Sequence, residues 1–163
     1  MTIPISVTIL TKNSEQYLDQ VLSSLTQFDE VVIYDNGSTD STLDILKKYS
    51  NIKLYEGLFL GFGPTHNFVS SLAKNDWICS IDSDEVVTQK LMEAIQGLKL
   101  DSSFVYAFPR DNYYNGKWIR WCGWYPDYQI RLYNRTKTKF ADVQVHEAII
   151  TSGMQIKKIE APL

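Results

Sequence analysis

The sequence predicts an α/β fold built on a central, mostly parallel sheet, and three observations carry that prediction. Apolar, β-prone runs bounded by turn residues alternate with stretches of helical spacing through the first hundred residues, the order that parallel strands joined by crossover helices require. The 163 residues, 44% apolar and 21% charged, are enough for one domain with a proper core and fit neither a disordered nor a membrane-embedded chain. Finally, Asp82-Ser83-Asp84-Glu85 directly follows the β-prone segment Trp77-Ile78-Cys79-Ser80-Ile81. This places three carboxylates at the C-terminal end of a strand, where open α/β sheets bind their ligands.

Residues 6–11 read as the first strand, and Asn13 with Gln16 three residues on reads as the N-cap of a helix carrying Tyr17, Leu18, Val21, Leu22 and Leu25 at helical spacing. Residues 30–35 form a second strand that runs into the turn Asn36-Gly37-Ser38, and residues 39–41 cap a helix carrying Leu43, Ile45, Leu46 and Tyr49. A third strand over 52–55, a glycine-rich loop over 57–63 and a helix over 64–74 lead into the strand before the acidic run. After a fourth helix over 88–98 the pattern changes. Residues 104–109, 129–133, 143–150 and 154–159 read as strands, with Asn115-Gly116 and Ser152-Gly153 as turn signals, so this half is antiparallel or mixed. The expectation is a single domain over 1–163, with a nucleotide-type half over 1–100 and a strand-and-loop half over 101–163. The last residues, Glu160 to Leu163, bring no capping element, and the natural chain is expected to continue beyond them.

A net charge of −3 and a pI near 5.3 argue against a nucleic-acid partner, because phosphate-backbone affinity needs clustered Lys and Arg. The N-terminus lacks a basic segment followed by an apolar one, so a cytoplasmic location is expected. Cys79 and Cys122 do not make a disulfide framework and read as structural or free thiols. Aromatic residues crowd the stretch from Tyr106 to Tyr128, where Trp118, Arg120, Trp121, Trp124 and Tyr125 form either a sugar-stacking wall or ordinary core.

Bare carboxylates as close as Asp82, Asp84 and Glu85 repel one another. A hard divalent cation, Mg²⁺ or Mn²⁺, relieves that repulsion and keeps coordination positions open for substrate phosphates. Asp35 ends its strand at the same edge, and it either opens the turn or accepts hydrogen bonds from the imide N–H of uracil or from ribose hydroxyls. Thr11, Asn13 and Glu15 follow the first strand there. The stretch Gly57 to Gly63 has neither the glycine spacing of a dinucleotide-binding turn nor a phosphate-loop lysine, so no dinucleotide cofactor is expected.

Four motifs in order, Thr11-Lys12-Asn13, Val31 to Asp40, Gly63-Pro64-Thr65-His66-Asn67 and, fifteen residues after Asn67, Ile81 to Glu85, resemble the family 2 glycosyltransferases of GT-A fold. Within that family the chain is most similar to bacterial enzymes of lipopolysaccharide-core and surface-glycan synthesis. The resemblance implies that Asp35 contacts the nucleotide base, with Thr11, Asn13, Glu15 and Asn67 on the donor side. It also implies that Asp82 and Asp84 form an Asp-x-Asp motif, in which Asp84 binds the metal and Asp82 contacts sugar or ribose hydroxyls. Where many relatives have Ala-Arg-Asn, this chain has Thr65-His66-Asn67, and His66 reads as helix packing, a solvent-facing side chain or a donor contact. A similar Val-His-Glu in those enzymes implies that His146 completes the metal site or holds the diphosphate, and that Glu147 is the base, with Asp127 and Asp111 as competitors. Strand alternation sets His146 and Glu147 on opposite faces unless a bulge or strand end intervenes. Trp124 belongs to the acceptor wall, and Arg131 anchors a carboxylate or diphosphate or else forms a salt bridge within the fold.

The reaction implied is inverting transfer of a sugar from a nucleotide-diphosphate sugar, UDP favoured, to a hydroxyl of a glycan or glycolipid. Peripheral contact with the inner face of the membrane is compatible with such an acceptor. The alternatives are a nucleotide-sugar or glycan-binding domain without turnover and a nucleotidyltransferase. The latter normally shows a glycine-rich, basic segment after the first strand, which Thr11 to Glu15 lacks.

Overall fold

The alternation seen in the sequence resolves into two buried faces of one sheet. In the segment from Val31 to Tyr34, Val31 and Ile33 pack on one face and Val32 and Tyr34 on the other, as the two-residue repeat of a strand demands. The computed structural model describes residues 2–119, 121, 125–142 and 148–163. Its strands are β1 (Ile3–Thr11), β2 (Phe28–Asp35), β3 (Ile52–Glu56), β4 (Trp77–Ser80), β5 (Phe104–Arg110), β6 (Tyr113–Tyr114), β7 (Lys117–Trp118), β8 (Asp127–Asn134) and β9 (Gln155–Lys158). The helices are α1 (Leu18–Ser23), α2 (Thr42–Leu46), α3 (Phe62–Leu72) and α4 (Gln89–Gln96).

Among the described residues, seven strands form one sheet in the order β3-β2-β1-β4-β8-β5-β9, and β6 and β7 form a separate hairpin. β3, β2, β1 and β4 are parallel, β8 runs antiparallel to both neighbours, and β9 joins β5 in parallel. The sequence expectation of a mixed back half is therefore met by one reversed strand. The chain moves outward from β1 to β3, then returns to the far side of β1 with β4. That reversal opens a crevice beyond the C-terminal ends of β1 and β4.

Apolar residues of α1, α2 and α4, such as Leu18, Leu22, Ile45, Leu91 and Ile95, cover one face together with Val7, Ile9 and Ile33. Val69 and Ala73, from α3 and its C-terminal end, cover the other with Ile78, Tyr133 and Phe140. Burial pushes the Cys79 thiol up to about 12, which makes it an inert core group. Asn115 and Gly116 both have positive φ, 49° and 72°, as a two-residue hairpin turn between β6 and β7 requires.

The caps depart from expectation. α1 begins at Leu18 with Tyr17 at its N-cap position and no side-chain cap. Asn13 instead takes a positive φ of 51° and turns its side chain to the Thr39 N–H at 2.7 Å. Ser41 at the N-cap of α2 makes no side-chain cap either; its N–H donates to Glu15 Oε2 at 2.9 Å. Contacts between the two loops have displaced local capping. Thr88 does cap α4, accepting from the Leu91 N–H at 3.1 Å. Of the predicted strand over 143–150, residues 143–147 lie outside the described residues, and Ile149 bridges Phe140.

His66 on α3 is buried, which settles its reading as helix packing. Its ring stacks on Phe140 at 4.5 Å between centroids, and Nδ1 lies 3.3 Å from Ser80 Oγ. Burial lowers its pKa to about 4, with Asp82 opposing the shift and Arg131 adding to it. The unfolded chain therefore takes up a proton between pH 6.5 and 4 that the folded chain refuses. The contribution of neutral His66 is complete above pH 6.5 and is lost as pH falls toward 4, by roughly 3 kcal/mol. Urea unfolding across this window should show a shallower pH slope in His66→Gln than in the wild type; parallel slopes would assign the acid sensitivity to other groups.

Candidate functional site

The crevice is organised first around Asp35, the last residue of β2. Its buried carboxylate receives four donors: Thr11 Oγ1 at 2.8 Å and Ser38 Oγ at 2.5 Å on Oδ1, and the N–H groups of Gly37 at 3.0 Å and Ser38 at 2.8 Å on Oδ2. Burial raises its pKa, but the donors from Ser38, Thr11 and Gly37 outweigh burial and hold it below the usual carboxylate range. The Gly37 φ of 87° turns the following Ser38 N–H back to the carboxylate. Asp35 thus ties the end of β1 to the turn after β2. The neighbouring loops are laced in the same way, with the Asn13 N–H on Ser38 Oγ at 2.8 Å and the Glu15 N–H on Asp40 Oδ2 at 3.2 Å. Thr11, Asn13, Glu15 and Asp35 therefore share one edge and one hydrogen-bonded unit.

The acidic run forms a closed turn beyond β4. The Glu85 N–H donates to the Asp82 carbonyl at 3.1 Å, and the Asp82 N–H donates to Glu85 Oε2 at 3.0 Å. Arg131, on β8, donates from Nη2 to Asp82 Oδ2 at 2.7 Å and to Glu85 Oε1 at 2.5 Å. Of the two readings for Arg131, the salt bridge within the fold is the one formed. Burial pushes the Glu85 pKa up, with Arg131 opposing. Asp84 is exposed at the tip, where it lines a cleft of about 600 Å³ together with Tyr17, Gln20, Arg110, Asp111 and Tyr113. Among the described residues, nothing hydrogen-bonds or ion-pairs with the Asp84 side chain.

Arg110 also lines the cleft. It donates to Asp127 Oδ2 from Nε at 3.1 Å and from Nη2 at 2.8 Å, and its Nη1 lies 3.6 Å from Glu85 Oε1. Asp127 also accepts from Asn112 at 3.3 Å and from Gln129 at 2.6 Å. Burial raises the Asp127 pKa, but Gln129, Arg110 and Asn112 more than offset this and hold it low.

Asn67, expected on the donor side, has its amide engaged within the fold. Its Nδ2 donates to the Phe140 carbonyl at 3.0 Å, and its Oδ1 accepts the Phe140 N–H at 2.9 Å. This amide clamp pins α3 to a segment 73 residues away. Asn67→Ala should leave both backbone groups of Phe140 without these partners and cost about 1–3 kcal/mol; an unchanged urea midpoint would show that water replaces the clamp.

Among the described residues, no group of three or more His, Cys, Asp and Glu side chains could hold a metal ion by itself. Mg²⁺ and Mn²⁺ sites need not have one, since one or two carboxylates with substrate phosphates suffice. The exposed oxygen donors of Asp84 at the cleft fit that role, whereas Asp82 already shares its charge with Arg131. The expected ligand His146, the expected base Glu147 and the expected acceptor residue Trp124 lie outside the described residues, as do Arg120 and Cys122. Trp118 and Tyr125 do meet, edge to face at 5.3 Å. Sequence reading allowed an internal salt bridge for Arg131 without naming Glu85 as its partner, and missed the Arg110–Asp127 pair. The available signal was Arg131 itself, a cation set between Ile130 and Leu132 on an apolar strand, where burial requires an acidic partner.

A sheet reversed at β4, with an acidic turn at the crevice so formed, is the GT-A architecture, and solved proteins of that fold superpose on the chain. Staphylococcus aureus TarS, residues 1–349 in complex with UDP, aligns over 100% of this chain and 61% of its own with a TM-score of 0.68 at 21% identity. The mannosyltransferase PcManGT of Pyrobaculum calidifontis, in complex with GDP-Man and Mn²⁺, aligns over 68% of this chain and 36% of its own with a TM-score of 0.51 at 21% identity. At those identities the likeness establishes the fold. The family model described as glycosyl transferase family 2 matches residues 6–159, and the chain belongs to that family. An uncharacterized glycosyltransferase of Rickettsia typhi is 29% identical over 161 residues, covering 90% of this chain and 52% of the relative. The lipopolysaccharide core biosynthesis glycosyltransferase LpsC of Rhizobium meliloti is 28% identical over 163 residues, covering 93% of this chain and 58% of the relative. The chain thus spans a little over half the length of these curated relatives.

Proposed function

We propose that this chain is the catalytic GT-A domain of an inverting glycosyltransferase that moves a sugar from a nucleotide-diphosphate sugar to a hydroxyl of a surface glycan or glycolipid. The observation that carries the reading is the pairing of Asp35, ionised and fixed at the end of β2, with the exposed carboxylate of Asp84 beyond β4, on either side of β1 where the strand order reverses. UDP is the favoured nucleotide, in keeping with the UDP and UDP-GlcNAc complexes of TarS. The similarity to LpsC, a lipopolysaccharide core biosynthesis glycosyltransferase, favours a surface-glycan acceptor.

In this reading the Asp35 unit, with Thr11, Asn13 and Glu15, holds the base and ribose, and Asp82 meets the donor sugar from its place beside Arg131. Mn²⁺ or Mg²⁺, held by Asp84 and His146, would neutralise charge on the departing diphosphate. Glu147 takes the proton of the acceptor hydroxyl as its oxygen attacks the anomeric carbon. The carbon–oxygen bond to the diphosphate breaks on the opposite face, so the anomeric configuration inverts. Trp118, Trp124 and Tyr125 offer flat faces to the acceptor sugar. The half over 1–100 is the donor side and the half over 101–163 the acceptor side, in a protein placed in the cytoplasm at the inner face of the membrane.

Calorimetric titration of UDP, GDP and dTDP, each with and without Mn²⁺, tests the reading. Metal-dependent binding of one nucleotide, followed by transfer or slow hydrolysis of its sugar, is the expected result. Binding without either reaction marks a binding domain, and no binding of any nucleotide removes the proposal.

A further inference from the structure

We propose that Glu85 and Arg131 are positioning residues, a buried latch that holds the acidic turn in one shape and thereby aims the Asp84 carboxylate into the cleft. The inference deepens the function proposed above and rests on it for its nucleotide-binding readout.

Three carboxylates fall within four residues, yet the structure treats them differently. Glu85 is 6% exposed and Asp82 43% exposed, and both receive the same Arg131 nitrogen, from a guanidinium that is itself 11% exposed. Register explains how the cation arrives. Leu132 of β8 pairs with Cys79 of β4, so Arg131, one residue along a strand running the opposite way, stands level with the C-terminal end of β4. Glu85 works from both its oxygens, Oε1 on Arg131 and Oε2 on the Asp82 N–H. The turn is therefore tied at both ends, and Asp84, between them, faces solvent and the cleft. The third carboxylate of the run is thus a support for the other two and not a further metal ligand.

The latch makes a prediction opposite in sign to simple electrostatics. Glu85 lines the cleft, and Glu85→Gln removes a negative charge near the place where an anionic diphosphate would bind. Charge alone would tighten binding. The glutamine, however, sets an NH2 group where one of the two carboxylate oxygens stood, so either Arg131 or the Asp82 N–H faces a donor in place of an acceptor.

The test measures UDP affinity in Mn²⁺ by calorimetry, well below each variant's unfolding midpoint, and amide hydrogen exchange over residues 82–86. Glu85→Gln is expected to weaken UDP at least tenfold and to speed exchange of the Asp82 N–H. Arg131→Met should weaken UDP similarly, Arg131→Lys should recover part of that loss, and Glu85→Gln with Arg131→Met should cost little more than either alone, because the two act as one unit. The double variant also removes both buried charges together, which guards against misfolding from an unpaired ion. Unchanged or tighter UDP binding in Glu85→Gln overturns the latch, as does unchanged exchange. If the wild type binds none of UDP, GDP and dTDP in Mn²⁺, the proposed function falls and exchange alone decides whether the latch holds the turn; if it binds GDP or dTDP instead of UDP, the same variants are read with that nucleotide.

Discussion

Asp84→Ala is expected to abolish the metal-dependent part of UDP binding, a loss of at least a hundredfold or about 3 kcal/mol, while leaving the fold intact. The stability half of this prediction follows from the side chain being exposed and, among the described residues, without a hydrogen-bond or ion-pair partner, which keeps such a substitution within about 0.5 kcal/mol. Asp82→Ala should behave differently. It removes one of the two carboxylates on a buried guanidinium, so thermal unfolding should shift downward together with nucleotide affinity. The pair of variants separates the two carboxylates of the Asp-x-Asp motif by role. A UDP affinity in Mn²⁺ that survives Asp84→Ala would sink the metal assignment, and a melting temperature that falls as far as in Asp82→Ala would show that Asp84 carries part of the fold.

The sheet was legible because its central parallel strands β1, β2 and β4 are buried on both faces and the connecting helices carry a single apolar stripe. Val31 to Asp35 and Leu18 to Leu25 each show only one period. The place of the acidic turn followed from the strand before it. What sequence reading did not reach was local chemistry captured by distant partners. Asn13 has the residue type and the spacing of an N-cap, but the free N–H of Thr39, 26 residues away, takes its side chain. Asn67 carries a motif position of the family, yet the backbone of Phe140 claims both ends of its amide. Arg131 could equally have met a ligand or an internal acid, and only the antiparallel register of β8 against β4 decides that Asp82 and Glu85 receive it. One-dimensional patterns report which face a residue takes. They do not report which loop from another crossover arrives beside it.

Glu147→Gln is expected to bind UDP in Mn²⁺ as the wild type does and to lose transfer by about 10²–10⁴-fold, the range a positioned general base supplies. The amide keeps the size and much of the hydrogen bonding of the carboxylate but cannot accept the acceptor's proton at neutral pH. The geometry of the competitors strengthens the assignment. Asp127 sits behind the cleft-lining Arg110 and Asn112, which together with Gln129 occupy its oxygens and hold its pKa below the usual carboxylate range, making it a poor proton acceptor. Asp127→Asn should accordingly act through Arg110, lowering stability and leaving a measurable rate. Asp111 lines the cleft and is the control that matters. If Asp111→Asn loses transfer with nucleotide binding intact and Glu147→Gln keeps full activity, the base lies at the end of β5. If only Glu147→Gln shows that split, the proton leaves through the segment between Phe140 and Ile149, whose two ends the β-bridge already brings together.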